Sequence, residues 1–113
     1  MSCIFCKIIA GDIPADVVYE DEHVFAFHDI NPQAPVHIVL IPKAHIDNIL
    51  AAQESDAETL GQLLLSAAHV AKLGGIAESG FRVVVNAGPD AGQSVDHIHL
   101  HILGGRKLAW PPG

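Results

Sequence analysis

Three histidines separated by single apolar residues are the feature of this sequence that most directly suggests chemistry. His97, His99 and His101 lie in the run Asp-His-Ile-His-Leu-His-Ile at residues 96–102. Imidazole has an unperturbed pKa of about 6.5, so it can be a nucleophile, a proton donor or a metal ligand near neutral pH. The period of two predicts a strand whose three imidazoles share one face while the apolar residues share the other, core-facing side. Such a face suits one small anionic group.

Two other interpretations of the histidine face stay open. It could be a half-exposed strand whose polar residues happen to be histidines, although such a face usually mixes Thr, Lys and Glu. It could also be a catalytic zinc site, because paired histidines on a strand can bind zinc. A neutral imidazole is, however, a good nucleophile for phosphorus when a backbone carbonyl holds one ring nitrogen protonated and the other faces the substrate.

The tripeptide Gly92-Gln93-Ser94 directly precedes the histidine run. Its backbone N–H groups and the Ser94 hydroxyl are predicted to form an anion-binding nest beside His99. Taken alone, the tripeptide is more typical of an ordinary glycine-containing hairpin loop. The loop and the histidines together predict a phosphate site.

Composition limits the classes of partner. The 113 residues are half apolar, which is enough for one domain over residues 1–113. Six Lys and Arg stand against thirteen Asp and Glu, for a net charge of -7, so long nucleic acids would be repelled. No signal-peptide pattern or membrane-length apolar segment is found, and we expect a cytoplasmic protein without membrane contact.

The elements that must position these residues alternate between strand-like runs and one helix. Strands are predicted at residues 16–20, 24–28, 36–41, 81–86 and 95–103. A helix is predicted between a capping box formed by Ser55 and Glu58 and the terminating Gly74-Gly75 pair. Strands before and after a segregated helix predict an α+β fold with an antiparallel sheet.

The spacing at residues 97–103 resembles the His-φ-His-φ-His-φ-φ signature of the histidine triad family, where φ is apolar. The resemblance covers nearly the whole chain and includes the ending Trp110-Pro111-Pro112-Gly113, which is similar to the Hint branch of purine nucleoside phosphoramidases rather than the Fhit branch. The N-terminal Cys-x-x-Cys is similar to a bacterial subset. The family implies an antiparallel sheet of about five strands with a long helix and a short N-terminal helix, paired as a homodimer.

The resemblance also implies a reaction. His99 would attack the phosphorus of a purine nucleoside phosphoramidate of AMP or GMP type, aminoacyl adenylates included, and form a covalent nucleotidyl-histidine. His101 would stabilise charge on the phosphate oxygens, Ser94 would help the amine leave and His37 would be a proton partner behind the triad. No metal is required for this step. The implied nucleotide-binding residues are Phe5, Ile8, Phe27, Asp29, Ile30, Asn86, Gly92, Gln93, Ser94, Val95, His99, His101 and Trp110, the last reaching towards the partner subunit.

Cys3 and Cys6 are not needed by this mechanism. With His45 and His97 they would complete a Cys2His2 structural zinc site if the N-terminal segment folds over the sheet edge. The alternative is two partly buried thiols packing an N-terminal turn. The hypothesis predicts about one zinc per chain in protein purified without chelator.

Three other functions stay open at this point. The chain could be a dinucleoside polyphosphate hydrolase that uses the same nucleophile. It could be a nucleotide-binding regulatory module whose hydrolysis is incidental. It could also be a zinc-dependent hydrolase built on the three histidines.

Overall fold

The computed structural model describes residues 3–113, in which one five-stranded antiparallel sheet is covered by helices. The elements are α1 (Ile4–Ala10), β1 (Val17–Glu20), β2 (Val24–His28), β3 (Val36–Pro42), the 3-10 turns Ile49–Ala51 and Glu54–Asp56, α2 (Ala57–Leu73), β4 (Phe81–Val85) and β5 (Leu100–Gly104). The strand order is β1-β2-β3-β5-β4, and every neighbouring pair is antiparallel. The predicted α+β fold with a long helix and a short N-terminal helix is confirmed.

The two faces of the sheet carry separate apolar clusters. One face packs against α2 and includes Ala26, Ile38 and Leu100. The opposite face packs against α1 through Phe5 and Ile8. Because side chains alternate along a strand, His37 and His101 lie on the α1 face while their neighbours enter the α2 core. The reactive side chains are therefore on the side of the short helix.

The long helix differs from prediction at its start. The capping box of Ser55 and Glu58 is wrong, because Ser55 lies in the 3-10 turn and α2 begins at Ala57. Asp56 instead accepts a hydrogen bond from the Gln53 N–H at 2.9 Å. The predicted end at Gly74 is confirmed. Within residues 3–113, no helix combines the length and the apolar character that crossing a bilayer requires.

The last strand begins at Leu100, so the predicted start at Val95 is wrong. Leu100 pairs with Leu40 and Val85, and continuing that register would place Ile98 opposite Pro42. Proline has no N–H to donate to a ladder. The Ile98 N–H donates instead to the Ile46 carbonyl, 2.6 Å away. His97 and His99 therefore lie on an irregular segment that leads into β5.

Candidate active site and metal cluster

A cavity of about 380 Å³ opens on the α1 face of the sheet. It is bounded by α1, the end of β2, the segment before β1 and the approach to β5. Its volume lies in the range of small-ligand pockets. The nucleotide-binding candidates that line it are Phe5, Ile8, Phe27, Asp29, Ile30, Ser94, Val95, His99 and His101.

His99 is buried and has a defined tautomer. Its Nδ1 lies 2.8 Å from the backbone oxygen of His97. A carbonyl only accepts hydrogen bonds, so Nδ1 carries the proton and Nε2 keeps its lone pair when the ring is neutral. The ring of Phe5 packs edge-to-face against His99, with the centroids 5.1 Å apart. This arrangement provides an oriented nucleophilic nitrogen at the cavity.

A chain of hydrogen bonds fixes the opposite tautomer in His101. The Gln33 N–H donates to His37 Nδ1 at 3.0 Å, so the neutral His37 ring is protonated on Nε2. That Nε2 lies 2.9 Å from His101 Nδ1, which therefore accepts. The remaining proton of His101 is on Nε2. His101 can thus donate a hydrogen bond to an anionic group in the cavity.

The surroundings keep both of these rings neutral near pH 7. Burial lowers the pKa of His37, and the nearby Asp29 carboxylate opposes only part of that effect. Burial is also the main cause that lowers the pKa of His101, and repulsion from His99 and His37 adds to it. The hydrogen-bond pattern above therefore belongs to the neutral imidazoles.

Asp29 lies just after β2 and is held by its own turn. One carboxylate oxygen accepts a hydrogen bond from the Asn31 N–H at 2.8 Å, and the other lies 3.4 Å from His37 Nε2. The neighbouring Ile30 is fully exposed at the rim of the cavity. The carboxylate is therefore oriented at the cavity edge beside the imidazole chain.

The glycine loop contradicts part of the predicted anion nest. The Gly92 N–H donates to the Pro89 oxygen at 3.0 Å, and the Gln93 N–H donates to the Gly88 oxygen at 3.2 Å. Both donors are therefore already used inside the loop. Ser94 alone of the tripeptide lines the cavity.

The side chain of Gln93 also serves the loop. Its Nε2 donates to the backbone oxygens of Asp47 and Val95, at 2.7 and 3.0 Å. Its Oε1 accepts from the Gly88 N–H at 3.0 Å. Gln93 therefore ties the loop to the segment after β3, so that it positions Ser94 and Val95 instead of contacting the cavity.

Two of the other candidates lie away from the cavity lining. Asn86 is half-buried immediately after β4. Trp110 is 81% exposed near the C-terminal end. The contact of Trp110 with a partner subunit stays a prediction.

Sequence reasoning missed part of the cavity wall. Alternation along β3 could have indicated Val39, which shares a face with His37. The other residues approach the cavity through tertiary packing, for which the sequence has no local signal. The missed residues are Ile4, Ile13, Pro14, Ala15, Asp16, His28 and Val39.

The predicted zinc ligands come together beside this cavity. The ligand atoms of Cys3, Cys6, His45 and His97 all lie within 4.8 Å of one another. Nδ1 of His97 is 3.4 Å from Cys3 Sγ, and Nδ1 of His45 is 3.4 Å from Cys6 Sγ. Zinc bonds of about 2.3 Å to sulfur and 2.0 Å to nitrogen, arranged tetrahedrally, imply sulfur–nitrogen separations of about 3.5 Å. The donor set fits a structural zinc ion.

The second nitrogen of each histidine in this cluster is also occupied. His97 Nε2 donates to the Pro42 carbonyl at 2.8 Å, and His45 Nε2 donates to the Asp47 carboxylate at 2.8 Å. Both Nδ1 atoms therefore present lone pairs towards the thiols. Oriented outer partners of this kind are typical of histidines that bind metals.

The three histidines of residues 97–101 do not converge on one metal position. His97 is directed to the thiols, His99 to a backbone carbonyl and His101 to His37. Among residues 3–113, no metal-type cluster contains all three. The geometry therefore does not support a zinc-dependent hydrolase built on them.

Comparison with known proteins gives consistent matches along the chain. A family model described as "HIT domain" matches residues 10–108. A "14 kDa zinc-binding protein" from Zea mays is 56% identical over 112 residues, which cover 97% of this chain and 87% of the relative. An uncharacterized HIT-like protein from Synechococcus elongatus is 54% identical over 110 residues, 97% of this chain and 96% of the relative.

The solved structures agree with this assignment of the fold. A HIT family hydrolase from Legionella pneumophila is 50% identical and superposes with a TM-score of 0.96, covering 99% of this chain and all of the other. A histidine triad protein from Clostridium difficile is 45% identical with a TM-score of 0.92, covering 96% of this chain and 95% of the other. Both similarities extend over the sheet, the helices and the histidine segment.

Proposed function

The chain belongs to the HIT domain family, and from that premise we propose that it is a hydrolase of purine nucleoside phosphoramidates. His99 is the proposed nucleophile. The observation that carries the proposal is the bond from His99 Nδ1 to the His97 carbonyl, because it leaves Nε2 unprotonated at the cavity. The similarity to the HIT family hydrolase from Legionella pneumophila supports the same reaction class.

The proposed reaction has two displacements at phosphorus. The lone pair of His99 Nε2 forms a bond to phosphorus, the P–N bond breaks, and the amine leaves with a proton that passes from water through the Ser94 hydroxyl. Water then attacks the nucleotidyl-histidine and the P–Nε2 bond breaks, which releases the nucleoside monophosphate and neutral His99. The proton that this water loses replaces the one used in the first step. The His97 carbonyl accepts the Nδ1–H bond throughout, which stabilises the positive charge on the imidazole. Two smaller barriers replace one direct displacement.

His101 is proposed to bind the phosphate oxygens. Its Nε2 carries a proton because Nδ1 accepts from His37. A donor that is already oriented stabilises charge developing in the transition state without reorganising at that moment. His37 acts through His101 and is a positioning residue.

The apolar part of the cavity is the proposed purine site. Phe5, Ile8 and Phe27 are buried side chains that present flat or branched surface, and Phe5 and Phe27 meet edge-to-face with centroids 5.7 Å apart. The oriented Asp29 carboxylate is a suitable acceptor for ribose hydroxyls. A homodimer, in which Trp110 reaches the partner's site, remains part of the proposal.

The metal-type cluster has a structural role in this scheme. Cys3, Cys6, His45 and His97 would hold the ion, and the named zinc-binding relative from Zea mays supports that assignment. Bound there, zinc supplies a cross-link between the N-terminal turn and the segment before β5. It takes no part in bond breaking at phosphorus.

The decisive experiment captures the covalent intermediate. Zinc-loaded protein is mixed with an adenosine phosphoramidate, quenched rapidly, and analysed by intact mass and peptide mapping. We expect an AMP adduct on His99 that disappears with turnover, and none in His99→Ala. His23→Ala is the matched control, because it removes a half-exposed imidazole outside the cavity.

Two results would contradict the proposal. Folded His99→Ala that releases AMP at the wild-type rate would exclude His99 as nucleophile. Nucleotide binding by folded wild type with neither adduct nor AMP release would favour a regulatory binding module. A parallel reaction with a dinucleoside polyphosphate measures the alternative hydrolase activity, which we expect to be slower.

A further inference from the structure

His97 belongs to both the metal-type cluster and the proposed active site. Its Nδ1 lies 3.4 Å from Cys3 Sγ, and its Nε2 donates to the Pro42 oxygen. Its backbone oxygen accepts the Nδ1–H bond of His99 at 2.8 Å. The carbonyl that orients the nucleophile is therefore part of a residue whose side chain is a candidate metal ligand.

Phe5 makes a second connection between the two sites. It lies between Cys3 and Cys6 in sequence and is only 8% exposed. Its ring packs edge-to-face on His97 at 5.9 Å and on His99 at 5.1 Å between centroids. A displacement of the cysteine turn would therefore displace the ring that supports the nucleophile.

The helix that forms this wall is short and buries few side chains. α1 has seven residues, and only Phe5 and Ile8 are buried. Isolated helices shorter than about 12 residues are marginal in water. Its N-cap is Cys3, whose sulfur accepts the Cys6 N–H at 3.3 Å. The N-cap residue of the helix, Cys3, and a residue of its first turn, Cys6, are thus two of the four candidate ligands.

We propose that the metal bound by Cys3, Cys6, His45 and His97 positions the nucleotide site. The loaded cluster holds α1 as the wall of the cavity and holds the His97 carbonyl against His99. Loss of the metal releases both, so nucleotide affinity falls while the sheet and α2 remain folded. The cysteines and His45 are positioning residues for nucleotide binding, and this inference rests on the proposed function because nucleotide is one of its probes.

The coupling must be reciprocal. If zinc raises the affinity for AMP by some factor, AMP must raise the affinity for zinc by the same factor. Couplings between distinct sites commonly amount to about 5- to 150-fold. Because the two sites share His97 and the ring of Phe5, we expect a factor of about tenfold or more.

The test compares zinc-loaded protein with protein held metal-free in a zinc-chelating buffer. AMP affinity is measured by calorimetry, and far-UV circular dichroism reports the sheet and α2. We expect AMP to bind about tenfold more weakly without zinc, with the dichroism nearly unchanged, and one equivalent of Zn²⁺ to restore the affinity. Saturating AMP should tighten zinc binding by the same factor.

A matched pair of variants separates the metal ligand from histidine loss in general. His45 lies outside the lining of the nucleotide cavity, as does His23. His45→Asn should lower AMP affinity and raise KM more than it lowers kcat, with partial rescue by excess zinc. His23→Asn should bind zinc and AMP as wild type does. If His45 had a purely structural role, added zinc would not restore the AMP affinity of His45→Asn.

A nucleotide-independent measurement reads the His99 ring itself. Nitrogen-15 chemical shifts distinguish an imidazole protonated on Nδ1 from a tautomer mixture. We expect the Nδ1–H tautomer in zinc-loaded protein and a mixture in metal-free protein. If the zinc-loaded protein bound no AMP, the proposed function would fail, and this shift would still test the metal dependence.

Two outcomes overturn the inference. One is equal AMP affinity, within twofold, for loaded and metal-free protein that are both folded, together with an unchanged His99 shift. The other is complete loss of the dichroism on zinc removal, because the metal would then be a condition of the fold instead of the site.

Discussion

The metal-type cluster of Cys3, Cys6, His45 and His97 and the proposed reaction site both use histidines, but with opposite ring nitrogens hydrogen-bonded to a carbonyl. In the first, His97 donates from Nε2 to a carbonyl and presents Nδ1 to the thiols. In the second, His99 donates from Nδ1 to a carbonyl and keeps Nε2 free. His101 differs again, because its Nδ1 accepts from His37 and its Nε2 carries the proton. Residues only two positions apart thus have three different hydrogen-bonding states.

The difference shows that the partner of the second ring nitrogen assigns the role of a histidine. A carbonyl on Nε2 leaves the Nδ1 lone pair free for a metal, a carbonyl on Nδ1 leaves the Nε2 lone pair free for the proposed attack, and a donor on Nδ1 leaves a proton on Nε2. Only one of these partners, the His97 carbonyl, is near its histidine in the sequence, two residues before His99. The motif supplies the imidazoles, and tertiary contacts differentiate them.

Removing the nucleophile should produce the largest separation between the two regions. We expect His99→Ala to lower phosphoramidate turnover by about 10⁴-fold or more, because His99 is the group proposed to form the covalent intermediate. Zinc content should not change, since His99 is not one of the four candidate ligands. Kinetics and elemental analysis of the same preparation measure both. Zinc loss in this variant would show that the two regions are not distinct.

Removing the proton donor should have the next largest effect. We expect His101→Ala to lower turnover by about 10²- to 10³-fold, the usual cost of losing one oriented donor to transition-state charge. The covalent adduct should still form slowly on His99. His69→Ala, on α2, is the control because it leaves the cavity intact. An effect confined to KM would indicate ground-state binding only.

Removing one thiol should have its main effect on the metal-type cluster and a smaller one on the reaction site. We expect Cys6→Ser to abolish stoichiometric zinc binding and lower the melting temperature by several degrees, since about 1 kcal/mol corresponds to roughly 4 °C in a domain of this size. The ratio kcat/KM should fall about tenfold, mainly through a higher KM, because the nucleotide site binds more weakly. Elemental analysis, thermal unfolding and kinetics make the comparison. Full zinc occupancy in this variant would argue against the proposed ligand set.

The sequence predicted the residues of both regions better than it predicted their local structure. The four zinc candidates meet as predicted, but the N-terminal helix packs on a face of the sheet, against β2 and β3, instead of over its edge. The strand expected to hold His97 and His99 is absent there because Pro42 ends the ladder. The Gly92 and Gln93 amides satisfy their own loop instead of a phosphate. Sequence periodicity predicts which side chains share a face of a strand. Where strand pairing ends and which hydrogen bonds a loop makes depend on residues that are distant in the sequence.

The residues that line the apolar part of the cavity show the same limit of prediction from sequence. Phe5 and Phe27 were found through the family resemblance, but the wall formed by residues 13–16 was not. That segment joins α1 to β1 and has no periodic pattern of its own. Its place at the cavity follows from how the short helix docks on the sheet, which local sequence does not encode.

The smallest expected effect concerns the pH dependence of the free energy of unfolding, to which the metal-type cluster and the buried His37 both contribute. Burial lowers the pKa of His37 below its ordinary value of 6.5, so the unfolded chain binds more protons than the folded one just below that pH. The contribution to stability is therefore complete above about pH 6.5 and is lost as pH falls through the folded pKa. His37→Gln keeps a polar side chain but removes this titration, and its free energy of unfolding should fall less steeply between pH 7.5 and 5.5.

The difference between wild type and His37→Gln isolates this effect from the metal cluster. Both proteins keep Cys3, Cys6, His45 and His97, so acid-induced zinc release contributes equally and cancels in the difference. We expect the free energy of unfolding, measured by urea unfolding at each pH, to fall less in the variant than in wild type as the pH is lowered. Identical slopes would mean that acid sensitivity resides in the metal cluster alone, and a steeper slope in the variant would contradict the burial argument for His37.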